Sequence, residues 1–87
     1  MAVLVNISAV GMDTSNYDEI SERLTALLKQ QPGFMGHVAY KTPDGMGVGE
    51  LWESRAQFQK WFDENVRPNV PVELKEEVIE LHNVITP

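Results

Sequence analysis

Few side chains in this sequence can do chemistry, and nearly all of them sit on predicted strands. Glu50 and Trp52 are two residues apart, so on one strand they share a face. A carboxylate beside an indole in a dry pocket suits a general base toward an acidic hydroxyl such as a phenol. The plainer reading of Glu50 is an exposed residue, or one paired with a cation across an interface. His82 shares a predicted strand face with Glu80, and imidazole is the commonest proton carrier, although a lone strand histidine is more often a satisfied structural residue. Asn6 is an amide in a half-apolar strand, read first as satisfied by its neighbours and second as a ligand contact. Tyr17, in the first turn of a helix, reads as a core aromatic with a wet tip or as a hydroxyl at a pocket mouth. His37 is the weakest candidate, because a turn decides which face it occupies.

The elements that must position these groups follow from periodicity and punctuation. Val3 to Ala9 alternates with Val3, Val5 and Ile7 on one face and Leu4, Asn6 and Ser8 on the other, which predicts a strand. Gly11 ends it. Asp13-Thr14-Ser15-Asn16 is a cluster of cap formers, with Ser15 and Asp18 approximating a capping box and Asp18 and Glu19 suiting the positive end of a helix. Tyr17, Ile20, Leu24, Leu27 and Leu28 then form one apolar stripe on a helix ending near Gln31, before Pro32-Gly33.

Phe34 to Lys41 and Met46 to Glu53 read as the two arms of a hairpin around Thr42-Pro43-Asp44-Gly45. A three-residue loop with a bulged glycine is preferred, placing Gly36 opposite Trp52 and Val38 opposite Glu50. A four-residue turn would instead set Met35 against Trp52 and His37 against Glu50. Gly47 and Gly49 leave one sheet face bare, open to a close sheet-to-sheet contact or to a ligand. Gly45, Gly47 and Gly49 precede a strand and not a helix, so they form no nucleotide-binding loop.

Ser54 with Gln57 forms a capping box for a second helix, whose inward stripe is Phe58, Trp61, Phe62 and Val66. Asn69 to Glu76 reads as a connector, with one helical turn possible at Glu73 to Glu77. Val78 to Ile85 alternates as the last strand. The order β-α-β-β-α-β is the split βαβ pattern of the ferredoxin-like α+β fold, over residues 1–87 as one domain. Two helices cover one face of an antiparallel sheet, and apolar residues remain on the other.

Composition narrows the function classes. The formal charge is −6, from 7 basic and 13 acidic residues, and no Lys/Arg cluster supplies a basis for nucleic-acid binding. No cysteine is present, so there are no disulfides, and two histidines are too few for a self-contained metal site. No signal peptide or membrane span is expected, which points to a soluble, cytoplasmic chain with no membrane partner. An 87-residue domain buries a modest share of its surface, so a homodimer closing the open sheet face is expected.

Pro32-Gly33-Phe34, Trp52-Glu53-Ser54, the aromatic helix that follows and the ending Leu81-His82-Asn83-Val84-Ile85-Thr86-Pro87 resemble the antibiotic biosynthesis monooxygenase-type dimeric α/β barrels. The tail is like that of small actinobacterial members. The resemblance spans nearly the whole chain and implies a dimeric barrel with a pocket between sheet and helices. In the cofactor-independent oxygenases of that superfamily, the substrate's own anion reacts with dioxygen, so no cofactor is expected here. Trp52 matches a pocket tryptophan and Asn6 a first-strand asparagine. His82, Glu50 and Asn6 are then the catalytic candidates, and Trp52, Tyr17, Phe58, Trp61 and His37 the substrate-binding ones. The ligand is an aromatic or polyketide-like small molecule, and the reaction a monooxygenation, isomerisation or cyclisation. The alternative is a non-catalytic dimeric ligand-binding or accessory module. The haem-degrading branch is a minor alternative, because its axial histidine belongs on the second helix and the corresponding position here lies at or near Pro71.

Overall fold

A computed structural model describes all of residues 1–87. The elements are β1 (Val3–Val10), α1 (Thr14–Leu28), β2 (Phe34–Thr42), β3 (Gly45–Trp52), α2 (Arg55–Trp61) and β4 (Leu74–Glu80). α2 runs on through a π-helical turn at Phe62–Val66 and a 3₁₀ turn at Arg67–Asn69. The four strands form one antiparallel sheet in the order β2-β3-β1-β4. This is the ferredoxin-like α+β arrangement expected from the element order. No helix is long and apolar enough to cross a membrane.

Strand alternation divides the sheet sharply. Val3, Val5, Ile7 and Ala9 are buried and pair with Trp52, Glu50, Val48 and Met46 on the helix-covered face. The opposite face carries Leu4, Asn6 and Ser8 across from Leu51, Gly49 and Gly47. It is not bare at the glycines. A Cβ on Gly47 would collide with the Tyr40 ring, and one on Gly49 would crowd Val38, so β2 side chains already lie across both positions.

α2 closes one end of the covered face. Ser54 accepts from the Gln57 N–H at 3.2 Å and donates to the Gln57 Oε1 at 2.9 Å, as the capping pair predicts. Phe58, Trp61 and Phe62 are buried against Trp52, Val3 and Val5, and Trp52 meets Phe34 and Phe58 edge-on at centroid distances of 5.4 and 6.1 Å. Edge-on pairs of this kind add to the area they bury. Arg67 lies 4.7 Å over the Phe62 ring and pairs with Asp63 and Glu76, tying the end of the helical run to β4.

Three sequence expectations are corrected. α1 is capped by Asp13, with Asn16 completing the box, two residues ahead of the Ser15–Asp18 pair. Asp13 reaches the Asn16 N–H at 2.8 Å and also takes the Ser15 hydroxyl at 2.9 Å, so Ser15 supports the cap from inside the first turn. β4 starts at Leu74 and ends at Glu80, so residues 73–77 form no helical turn and His82 lies beyond the strand. Leu74 and Val78 pack on the core from this earlier register, a gain that outweighs the local helix preference of the Glu-Leu-Lys-Glu run. The third correction is the hairpin. Thr42 pairs with Gly45 and His37 with Glu50, the register of the four-residue turn. Gly45 has no positive φ and no G1 bulge forms there; the extra residue is Met35, at the far end of β2, where Phe34 pairs with Trp52 and Gly36 with Leu51.

Candidate functional site

The hairpin register brings His37 across from Glu50, on the covered face of the sheet. Trp52 stands two residues further along β3 on that face, and Tyr17 reaches down from the first turn of α1. The four side chains form one continuous hydrogen-bonded chain. The Trp52 indole N–H donates to Glu50 Oε1 at 2.9 Å. Glu50 Oε2 is 2.8 Å from His37 Nδ1, and His37 Nε2 is 2.7 Å from the Tyr17 hydroxyl.

The direction of the chain follows from chemistry. An ionised Glu50 only accepts, so His37 Nδ1 carries the proton and donates to it. In the neutral ring Nε2 is then an acceptor, and the Tyr17 hydroxyl donates to it. For a carboxylate and a neutral ring the order is Tyr17 O–H to His37, His37 N–H to Glu50, with Trp52 N–H holding the other carboxylate oxygen. Glu50 is 4 % exposed, and its two oxygens are satisfied by the two N–H groups. No buried side-chain nitrogen or oxygen in the molecule lacks a partner. A buried carboxylate without such partners would cost several kcal/mol.

Tyr17, His37 and Glu50 open onto a cavity of about 490 Å³ between α1 and the sheet. Its floor is Ile7, Ala9, Met46 and Val48, its roof Ile20, Leu24 and Leu28, and its far walls include Phe34, Trp61, Val66 and Leu74. An apolar hollow with a few converging polar groups is the usual form of a small-molecule site.

The sequence candidates are distributed unevenly around it. Tyr17, His37, Glu50 and Trp61 line the cavity. Trp52 is completely buried beneath it and acts through its N–H on Glu50, and Phe58 is completely buried against Trp52. Asn6 points to the other face of the sheet, across from Gly49. His82 is exposed beyond β4 and is not part of the lining. Met12 and Met46, which carried no sequence signal for a site, close the end of the hollow nearest the β2–β3 turn. Of the three catalytic candidates only Glu50 lines the cavity; His82 and Asn6 lie away from it, and His37, the weakest of the sequence candidates, stands in its wall.

The donors present do not fit a haem. α2 has no histidine, both ring nitrogens of His37 are engaged within the chain, and His82 lies outside the cavity. No group of three or more His, Cys, Asp or Glu side chains stands together as a metal site.

No protein-family model matches the sequence, and no curated protein matches it. Solved structures do share the fold, among them a cofactor-independent oxygenase, a haem-degrading protein and a protein described as a putative monooxygenase. SnoaB, a cofactor-independent oxygenase from Streptomyces nogalater, superposes with a TM-score of 0.65 at 15% identity, over 99% of this chain and 97% of its own. Rv0793 from Mycobacterium tuberculosis gives 0.71 at 12% identity, over 99% and 100%. The haem-degrading protein Rv3592 from the same organism gives 0.57 at 25% identity, again over 99% and 100%. The fold of this chain is therefore shared with these proteins over nearly its whole length.

Proposed function

We propose that this protein is a small-molecule enzyme of the cofactor-independent monooxygenase type, acting on an aromatic or polyketide-like compound with an acidic hydroxyl. The observation that carries this reading is the directed chain from Tyr17 through His37 to Glu50 and Trp52 at the wall of an apolar cavity. The oxygenase among the fold neighbours makes the chemistry reasonable without supplying any residue role.

His37 is the base. Glu50 fixes its tautomer and stabilises the imidazolium that forms, in the way a buried carboxylate serves the histidine of a hydrolytic triad. A substrate hydroxyl donates to the Tyr17 oxygen as the Tyr17 proton moves to His37 Nε2, or replaces Tyr17 and donates to Nε2 directly. Either route leaves a substrate anion in a water-poor pocket. That electron-rich anion is the species that reacts with dioxygen. One oxygen atom replaces two hydrogens of the substrate as a new carbonyl, and those hydrogens leave with the other oxygen as water, so the substrate is its own reductant. The protein supplies binding, deprotonation and exclusion of solvent.

We also assign the open sheet face to a homodimer. Val38 is 64% exposed, and Tyr40, Val10 and Ile79 are exposed on the same face of the sheet. Sheet-to-sheet pairing would remove this apolar area from water. Sedimentation at micromolar concentration is expected to give a dimer; a species of monomer mass alone contradicts it.

Oxygen uptake with hydroquinone-like and anthrone-like substrates tests the chemistry. Turnover is expected for the wild type and is lost in His37→Gln. If no substrate is consumed above background although such compounds bind, the protein is a binding module and the enzyme reading fails.

A further inference from the structure

Beyond Tyr17, the cavity has a polar edge that the base chemistry does not use. Along α1 and its C-cap residue, Tyr17, Ser21, Thr25 and Lys29 recur every fourth residue, and all four line the cavity beside the apolar Ile20, Leu24 and Leu28. The run covers about 18 Å of helix. It starts at Tyr17, whose hydroxyl is bonded to His37, and ends at the exposed Lys29.

The hydroxyls in the middle are oriented by their own bonds. Thr25 donates to the Ser21 carbonyl at 2.6 Å, which uses its one proton. The 3.1 Å contact between the two hydroxyls is therefore a donation from Ser21 to Thr25. Both protons are committed, and what the edge offers to a ligand is lone pairs. Lys29 is the one cation in the lining, and none of the 13 acidic residues forms an ion pair with it.

We infer that this edge is a second subsite, reading an anionic group and flanking hydroxyls on a ligand whose reacting hydroxyl lies at His37. The inference rests on the proposed site and deepens it. The ligand is an elongated phenolic acid. Its apolar face lies on the sheet, its hydroxyl donors face Ser21 and Thr25, and its carboxylate or similar anion sits at Lys29. In a chain of net charge −6, a single lysine at one end of the lining, exposed and with no carboxylate paired to it, gives the ligand a direction.

A hydroxybiphenyl carboxylate, its carboxamide and unsubstituted hydroxybiphenyl are suitable probes, with binding followed by tryptophan fluorescence because Trp61 lines the cavity. The wild type is expected to favour the carboxylate over the carboxamide by roughly three- to fivefold, the size an exposed ion pair reaches. The preference shrinks as salt rises. It disappears in Lys29→Met and reverses in Lys29→Glu. Equal binding of the two probes by the wild type, an unchanged ratio in Lys29→Met, or no binding of either probe overturns the inference. Binding is read without turnover, so the two readings fail separately. A carboxylate preference with no oxygen uptake sinks only the base chemistry. Turnover of neutral phenols with no charge preference sinks only the Lys29 subsite.

Discussion

The two ends of the covered sheet face use similar materials to opposite effect. Under α2 the space is solid: Trp52, Phe58 and Phe62 are completely buried, and rings packed edge-on and tilted fill the volume between helix and sheet. Under α1 only Leu28 is buried among the helix residues, and a cavity of about 490 Å³ stays open. The difference is one of side-chain volume. α2 offers three large aromatics in five residues, whereas α1 meets Ala9, Val48 and Gly36 with isoleucine and leucines. The polar chain sits at the boundary. Trp52 belongs to the solid half and His37 to the hollow half, with Glu50 joining them. The packed end holds the base in place, and the loose end leaves room for a ligand.

That comparison can be broken at its hinge. Glu50→Gln keeps the shape but offers an NH₂ where His37 needs an acceptor. The Trp52 N–H takes the amide oxygen, so the amide nitrogen faces Nδ1 and forces the proton onto Nε2. The base is lost, and turnover is expected to fall roughly a hundred- to ten-thousand-fold with the cavity intact. An activity close to wild type would show that the tautomer does not matter.

Carving the solid half comes next. Phe58→Ala is expected to cost about 3–5 kcal/mol in denaturant unfolding, because rings locked by Trp52 and Phe62 collapse poorly into the void. A cost below about 1 kcal/mol would mean that this half is not the rigid support inferred here. Trp52→Phe keeps most of the ring volume but leaves a buried Glu50 oxygen without its donor, at a cost of about 1–3 kcal/mol. Thermal unfolding checks it, and the turnover of this variant reports how much the indole N–H positions the base.

Filling the hollow half is the mirror experiment. Ala9→Leu adds volume where the cavity has space, so stability changes by less than about 1 kcal/mol while probe affinity drops. Retained affinity would place the ligand elsewhere. The smallest effect lies at the α1 cap. The hydrogen bonds from the Asn16 N–H and then from the Ser15 hydroxyl hold the Asp13 carboxyl below its ordinary 3.8. A depressed folded-state value adds stability above the unfolded-state value and loses it as pH falls through the folded one. Circular dichroism below pH 3.8 is expected to show slightly earlier loss of helix in the wild type, a step absent in Asp13→Asn.

Much of this architecture is legible in the residues. Alternation in Val3 to Ala9, the stripe of Ile20, Leu24 and Leu28, the Ser54–Gln57 cap and the aromatic spacing after it are local patterns, and they determined element order and fold class. The same patterns put Glu50 and Trp52 on one face of β3, because two residues along a strand is a fixed geometry. The site was not legible in the same way, since it depends on pairings. Thr42-Pro43-Asp44-Gly45 fits two turns of nearly equal local merit, and the choice moves every side chain of β2 to one face or the other. Tertiary packing decided it: the register that forms gives buried Glu50 a partner in His37 and lets Phe34 meet Trp52 edge-on, with Met35 bulged to absorb the mismatch. The other register would have set Val38 against that carboxylate. The end of the chain went the same way, because the register of β4 on β1 carries His82 past the sheet. Sequence determined which residues could act and on which elements. Only the assembled sheet decided that His37, and not His82, is the one that Tyr17 and Glu50 hold at the cavity.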